Sequence, residues 1–106
     1  MFVKKLYNVL SESQNSDCIQ WSNEGFSFTI HNLDIFIDRI LKVRFGCKKF
    51  TNFQRLLNMY GFRKVNNTSL NSENNKEEWI YYHPNFIRGK KHLIKGIKRK
   101  GSNNKP

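Results

Sequence analysis

The residues best suited to recognition chemistry in this chain lie between Lys48 and Lys64. On a helical wheel of ~100° per residue, Arg55 falls about 200° away from Phe53. The apolar stripe around Phe53 consists of Phe53, Leu56, Leu57 and Tyr60. The outer half carries Thr51, Asn52, Arg55, Asn58 and Met59, with no acid. An arginine fork matches guanine O6 and N7. The pattern therefore predicts a helix that packs on one side and presents Arg55 to a DNA groove.

The end of this helix is marked by Gly61, which enters the left-handed backbone region at little cost. Residues 62–65 then read as a strand that leaves the helix. The alternative interpretation is an ordinary surface helix with a solvated arginine, and the helix alone does not decide between the two. The charge of the surrounding chain favours a helix that recognises DNA.

Net charge is +11 over 106 residues, and the basic residues are concentrated in two stretches. Residues 39–64 and 88–105 hold 16 of the 19 Lys and Arg, and neither stretch contains an acid. Solvated helices usually mix signs to gain support between neighbouring turns. A stretch of one sign accepts self-repulsion, which a polyanionic partner would relieve. Double-stranded DNA is therefore the expected partner.

Other function classes find little support in the sequence. Cys18 and Cys47 are far apart and lack metal-ligand spacing, so we interpret them as free thiols of a reducing compartment. The three histidines are scattered and suit surface or capping positions. No nucleophile–base pair or carboxylate pair indicates an enzyme, and we expect no metal, cofactor or small-molecule substrate. No apolar run is long enough for a membrane span, so we expect a soluble, non-secreted protein with no membrane partner.

The elements that must position the helix follow from periodicity. Residues 2–10 have helical apolar spacing, 19–21 and 26–30 read as strands joined by a turn, and Asn32 or Asp34 caps a second helix. The buried side of that helix comprises Leu33, Phe36, Ile37, Ile40 and Leu41. Residues 79–83 return as a strand after a polar loop with an acidic tip, and Leu93, Ile94 and Ile97 predict a short final helix. The order is typical of an α+β winged helix-turn-helix, a three-helix core with a small antiparallel β-sheet.

The chain resembles the DNA-binding domain of the eukaryotic heat shock factors. Four separated blocks carry the resemblance: Trp21-Ser22 with Gly25 and Ser27-Phe28; Phe53, Arg55, Leu57-Asn58 and residues 60–65; Trp79, Tyr81, His83-Pro84, Phe86 and Arg88-Gly89; and Leu93-Ile94 with residues 97–100. The resemblance implies one domain over residues 1–100, and the composition of residues 101–106 predicts a disordered basic tail.

The resemblance also implies a sequence-specific transcription factor that acts in the nucleus and reads inverted repeats of a GAA-containing element, with Arg55 on the guanine. It suggests that the wing contacts a neighbouring copy on DNA. Together with the wheel and the charges, it makes ten residues candidates for DNA contact: Lys48, Lys49, Asn52, Gln54, Arg55, Asn58, Tyr60, Lys64, Lys98 and Arg99.

The chain departs from the family pattern at several positions. Gly46-Cys47 stands where Lys-His is usual, and Lys48 with Lys49 could supply the missing charge. Residues 52–56 read Asn-Phe-Gln-Arg-Leu in place of Ser-Phe-Val-Arg-Gln, so Leu56 replaces a polar residue while Asn52 and Gln54 add polar reach. Lys42 replaces a proline that commonly ends the second helix. These departures leave the exact site preference open.

The family continues into a heptad-repeat trimerisation region, and no heptads follow residue 100. On this sequence we expect a bare DNA-binding domain. Two further interpretations are a general or architectural nucleic-acid-binding protein that has lost specificity, and a protein-interaction module that competes with a full-length factor. An exposed Arg55 favours sequence-specific binding over the architectural interpretation.

Overall fold

The computed structural model describes residues 2–65 and 78–99. In these ranges, α1 spans Phe2–Ser11 and a short 3-10 turn follows at Ser13–Asn15. The second helix, α2, begins at Leu33–Ile35 and continues as a π-helix over Phe36–Phe45. The third helix, α3, spans Phe50–Met59, and a 3-10 segment covers Lys91–Gly96.

Four short strands form one antiparallel sheet beside the helices. They are β1 (Ile19–Trp21), β2 (Ser27–Ile30), β3 (Arg63–Lys64) and β4 (Trp79–Tyr82), in the order β1-β2-β4-β3. Trp21 pairs with Phe28, Phe28 with Tyr81, and Tyr81 with Lys64. Residues paired in this way point to one side of a sheet. The row that buries Phe28 and Tyr81 therefore continues at the sheet edge with Lys64. The predicted hairpin of β3 and β4 is confirmed.

The core between helices and sheet is aromatic. Phe28, Phe36, Phe53 and Phe86 are fully buried, and Phe53 lies 5.2–5.6 Å, centroid to centroid, from rings of α1 and α2. Large rings supply much buried apolar area from few residues, and tilted or edge-on pairs add a further contribution. A chain of this length therefore closes its core without disulfides. Cys18 and Cys47 are both free, and burial raises the pKa of the Cys18 thiol to about 11.

The second helix matches the predicted position but differs in its winding. The side-chain oxygen of Asn32 accepts a hydrogen bond from the Ile35 N–H at 3.5 Å, so Asn32 provides the cap. Phe36, Ile40 and Leu41 are buried as predicted, and Leu33 and Ile37 are half-buried. From Phe36 onward the helix is π-wound, a rare form that apolar periodicity did not indicate. Gly46 ends it in the left-handed region at φ +67°.

Two boundaries predicted from the sequence need correction. Phe26 was assigned to a strand, but β2 starts at Ser27 and Phe26 is 58% exposed in the preceding turn. The final helix is a 3-10 segment, although Ile97 is buried and Ile94 half-buried as expected of a packed end. The acidic tip of the predicted wing, 66–77, and the tail 101–106 lie outside the described residues.

The interpretation of residues 39–64 as a one-signed, self-repelling stretch is wrong for its first part. Arg39 bonds both oxygens of Asp17 at 2.8 and 3.0 Å, and Arg44 bonds both oxygens of Glu12 at 2.7 and 2.8 Å. Lys42 Nζ lies 3.3 Å from an oxygen of Asp38, one turn earlier on α2. The acids came from segments outside the stretch, which is why counting charges within it missed them.

No helix among the described residues combines the length and the apolar character required to cross a membrane. In the same part of the chain, no group of three or more His, Cys, Asp or Glu side chains is placed to hold a metal ion.

The Arg44–Glu12 pair makes the free energy of unfolding depend on pH. The Arg44 hydrogen bonds hold the pKa of Glu12 below its ordinary value of 4.5. A carboxyl with a lowered pKa in the folded state contributes stability above that ordinary value, and the contribution is lost as pH falls through the folded pKa. We expect Glu12→Gln to lower the free energy of unfolding by about 1 kcal/mol at pH 7 and to flatten its decline below pH 4.5. Urea denaturation at a series of pH values measures both.

Asp38→Asn is the control for this experiment. It removes a carboxylate from an exposed pair on one helix, where the effect is about 0.3–0.5 kcal/mol. A Glu12→Gln protein with the same stability and acid dependence as the unmodified chain would show that the Arg44 pair contributes nothing.

Candidate nucleic-acid interface

The rotation of α3 is set by its inner side. Phe53 and Leu57 are fully buried, and Leu56 and Tyr60 pack half-buried against the core. The side chains on the opposite side are exposed: Thr51, Asn52, Arg55 and Asn58. The sequence-based prediction that Arg55 points outward from a packed helix is confirmed.

The C-terminus of α3 is closed by hydrogen bonds that require a left-handed residue. Gly61 has φ +86°, and its N–H donates to Asn58 O at 3.0 Å while the Phe62 N–H donates to Leu57 O at 2.9 Å. This pair of bonds is a Schellman motif, in which glycine is the usual residue at the left-handed position. Phe62 then packs on the ring of His83 at 5.2 Å, so the chain turns sharply into β3. Burial lowers the pKa of His83.

A groove of about 800 Å³ lies between the outer side of α3 and the strands β3 and β4. Its lining side chains are mostly polar or basic: Thr51, Gln54, Arg55, Asn58, Arg63, Lys64, Tyr81 and Tyr82. Gly61 and Phe62 complete the lining at the helix end. We call this the recognition groove. It brings together four of the candidate residues, namely Gln54, Arg55, Asn58 and Lys64.

The recognition groove carries positive charge that no described carboxylate pairs with. Arg55, Arg63 and Lys64 line it, and no carboxylate in the part of the chain that the structure describes lies within 4 Å of them. These three cations differ from Arg39, Lys42 and Arg44, each of which forms an ion pair with a carboxylate. A groove walled by cations and side-chain amides can bind phosphate oxygens and donate to base edges.

One hydrogen bond joins α3 to the sheet at the bottom of the recognition groove. Gln54 Nε2 donates to the hydroxyl of Tyr81 at 3.1 Å. Burial raises the pKa of Tyr81, and the hydrogen bond from Gln54 opposes that shift. The polar reach that the sequence assigned to Gln54 is thus partly directed inward, toward β4.

The other candidate residues lie around the groove. Lys48 and Lys49 are exposed in the loop before α3, and Asn52 is exposed on its first turn. Tyr60 is half-buried, with its ring stacked on Phe2 at 5.2 Å. Lys98 and Arg99 are exposed beyond the 3-10 segment and do not line the recognition groove.

Six of the lining residues were absent from the sequence-based candidates: Thr51, Gly61, Phe62, Arg63, Tyr81 and Tyr82. Arg63 and Tyr82 face each other across β3 and β4. Arg63 sits in a strand of two residues, too short for an alternation signal, and the partner of Tyr82 is set by pairing over a distance in sequence. Thr51 was visible on the wheel, on the same outer half as Arg55.

A helix that presents cations beside a two-stranded wing defines a winged helix-turn-helix, a class of DNA-binding domain. The sequence model of the HSF-type DNA-binding family matches residues 2–100, and the chain belongs to this family. A heat shock transcription factor of Saccharomyces cerevisiae is 39% identical over 97% of the chain, which spans 13% of that relative's length.

Solved structures agree with this assignment. Chaetomium thermophilum Skn7 with SSRE DNA superposes with a TM-score of 0.84 at 34% identity, covering 93% of this chain and 98% of that one. The same protein with HSE DNA gives a TM-score of 0.81 at 32% identity, covering 92% and 98%. The family is a DNA-binding one whose curated relatives are transcription factors, so the chain is not placed among enzymes.

The Gln54–Tyr81 bond predicts a measurable coupling between α3 and the wing. We expect Gln54→Ala and Tyr81→Phe to be non-additive in the free energy of unfolding by about 0.5–1.5 kcal/mol. Asn58→Ala paired with Tyr81→Phe is the control, because Asn58 is exposed on α3 and has no side-chain bond to Tyr81 among the described contacts. Additive effects of Gln54→Ala and Tyr81→Phe would show that the bond does not hold the helix.

Proposed function

We propose that this domain is a sequence-specific transcription regulator that binds double-stranded DNA with α3 in the major groove. Arg55 hydrogen-bonds a guanine through its two parallel N–H groups. The single observation that supports this most directly is the position of Arg55. It is exposed on α3, opposite the buried Phe53, and lines a groove with Arg63 and Lys64 and without a carboxylate neighbour in the described residues.

The start of α3 supports a contact with phosphate. Its first turn contains no acidic residue, and within the described chain no side chain caps its N–H groups. Such a helix end carries a partial positive charge and free donors. Exposed Lys48 and Lys49 adjoin it. We assign these two lysines, with Lys98 and Arg99, to the DNA backbone, where contacts fix orientation without reading sequence.

The DNA element is proposed from the relatives. One structural neighbour is described with SSRE DNA and with HSE DNA, and the curated relatives include heat shock transcription factors. We propose a GAA-containing element for this domain, with nuclear action and a part in a stress response. The other exposed groups of α3, Asn52 and Asn58, would contact bases or sugar beside the guanine.

Selection of bound duplexes from a random pool tests this function. A single enriched motif that contains GAA supports it. Enrichment of no motif, with tight binding to every duplex, would assign the domain to general or architectural binding. If the domain binds no duplex even at low salt, the remaining interpretation is a protein-interaction module.

Arg55→Ala is expected to weaken binding to the selected site by about 1–3 kcal/mol and to flatten the preference at one guanine. The comparison variant joins Lys48→Ala to Lys49→Ala. It should weaken binding to all duplexes alike and lower the salt slope by up to about two. Fluorescence anisotropy on matched and substituted sites, at several salt concentrations, measures both. An equal loss on every duplex after Arg55→Ala would place Arg55 on phosphate and refute the reading role.

The wing is proposed to contact a neighbouring copy on DNA. Residues 66–78 contain three glutamates and one lysine, a composition poorly suited to phosphate. Deleting residues 68–76 should reduce cooperativity on two adjacent inverted sites and leave affinity for a single site nearly unchanged. Gel-shift titrations on one-site and two-site duplexes measure this. A deletion that harms single-site binding as much as Arg55→Ala would place the wing on DNA.

A further inference from the structure

A second groove, of about 460 Å³, lies between α1 and the 3-10 segment. Its lining residues are Lys4, Lys91, His92, Ile94, Lys95 and Ile97. It shares none of them with the recognition groove. We call it the basic-rimmed groove, because cationic side chains surround two isoleucines.

The basic-rimmed groove lies on the far side of α1 from the recognition helix. Phe2 packs against Phe53 and Tyr60 of α3, at 5.6 and 5.2 Å between ring centroids. Lys4 follows Phe2 by two residues, or about 200° on a helix. One side of α1 therefore contacts α3, and nearly the opposite side supplies Lys4 to the second groove. DNA contacts on α3 alone would leave this groove accessible, although the groove adjoins Lys98, which we assign to the DNA backbone.

The base of this groove is apolar and well supported. Ile97 is buried, and half-buried Ile94 packs against the core. Because both are anchored, the groove cannot close over its own isoleucines without disturbing the core. A half-buried apolar side chain, here Ile94, beside a buried one and ringed by charges resembles a protein–protein contact with an apolar centre and a polar rim.

The rim is positively charged, and one of its lysines is fixed in place. Lys91 Nζ donates to Asn8 Oδ1 at 3.3 Å and lies 5.8 Å from the centre of the Tyr7 ring. Across the described residues, no carboxylate lies within 4 Å of Lys4, Lys91 or Lys95. Since no described residue complements the charge of this rim, an acidic partner suits it.

We propose that the basic-rimmed groove binds an acidic, amphipathic peptide segment of a partner protein. The apolar side chains of the peptide would cover Ile94 and Ile97, and its carboxylates would pair with Lys4, Lys91 and Lys95. A DNA backbone would satisfy the charges but would leave the isoleucines uncovered. The combination of cations and an apolar base therefore favours a peptide over a nucleic acid. An amphipathic helix laid into a groove is an established form of such recognition.

A direct binding measurement tests the proposal. The probe is a labelled synthetic peptide of about 15 residues with leucines at helical spacing and glutamates elsewhere. It is titrated with the complete chain, alone and saturated with a duplex carrying the HSE. We expect micromolar binding, unchanged by the duplex and weakened by salt. Replacing the peptide's leucines by serine should abolish binding, and so should replacing its glutamates by lysine.

Matched variants locate the contact. Lys4→Glu joined to Lys95→Glu should weaken peptide binding at least about tenfold while the protein stays folded, since both residues are exposed. Lys5→Glu joined to Lys90→Glu makes the same change in net charge at exposed residues that do not line the groove, and should leave binding nearly unchanged. Ile94→Ser should weaken binding through loss of the apolar contact.

Three results would overturn the proposal. Equal loss with both charge-reversed pairs, or retained binding by the serine peptide, would mean attraction to net charge alone. Displacement of the peptide by duplex DNA, with weaker DNA binding by Lys4→Glu/Lys95→Glu than by its control, would assign the groove to DNA. If the peptide does not bind at all, the groove does not recognise a partner of this kind. None of these outcomes depends on whether Arg55 reads a guanine.

Discussion

The arrangement of the domain depends on the contacts of one ring, that of Phe53. Its centroid lies 5.6 Å from Phe2 of α1 and 5.2 and 5.4 Å from Phe36 and Phe45 at the two ends of the π-wound part of α2. Truncating a buried phenylalanine usually costs about 3–5 kcal/mol, far more than any exposed polar contact on α3 could return. The helix therefore cannot rotate about its axis to improve a surface contact. Arg55 is directed outward because Phe53 is held inward.

Within the described residues, cations that pair with carboxylates and cations without such partners lie in different parts of the domain. Three acids, Glu12, Asp17 and Asp38, each pair with a cation of α2, so ion pairs offset the positive charge of Arg39, Lys42 and Arg44. Positive charge without described carboxylate partners is left at the recognition groove and at the basic-rimmed groove on the far side of α1. Summing charges along the chain could not show this division, because Arg44 and Glu12 are 32 residues apart.

Features of the fold that depend on local periodicity were predicted well from the sequence. The apolar stripe of α3 and the outward position of Arg55 follow from a repeat of 3.6 residues, and Gly61 marks the end of the helix through its backbone freedom. The features that escaped prediction depend on contacts between distant segments. The Gln54–Tyr81 bond spans 27 residues, and Arg63 enters the groove through strand pairing. The π-winding of α2 was not indicated by the sequence, because the four-residue spacing of Phe36 and Ile40 also fits one face of an ordinary α-helix.

Of the three positions where α3 departs from the family pattern, Asn52 is exposed, and Gln54 and Leu56 turn inward. Leu56 is half-buried and packs against the core, and the side-chain amide of Gln54 donates to Tyr81. Neither change adds a fully exposed group beside Arg55; both affect how the helix sits on the sheet. A bidentate contact to guanine tolerates only a few tenths of an ångström in its N–H···O distances. A small change in the tilt of α3 would thus alter which guanine the proposed Arg55 contact reaches. We expect a difference in DNA preference between this domain and its relatives to arise from the seating of the helix together with the exposed Asn52.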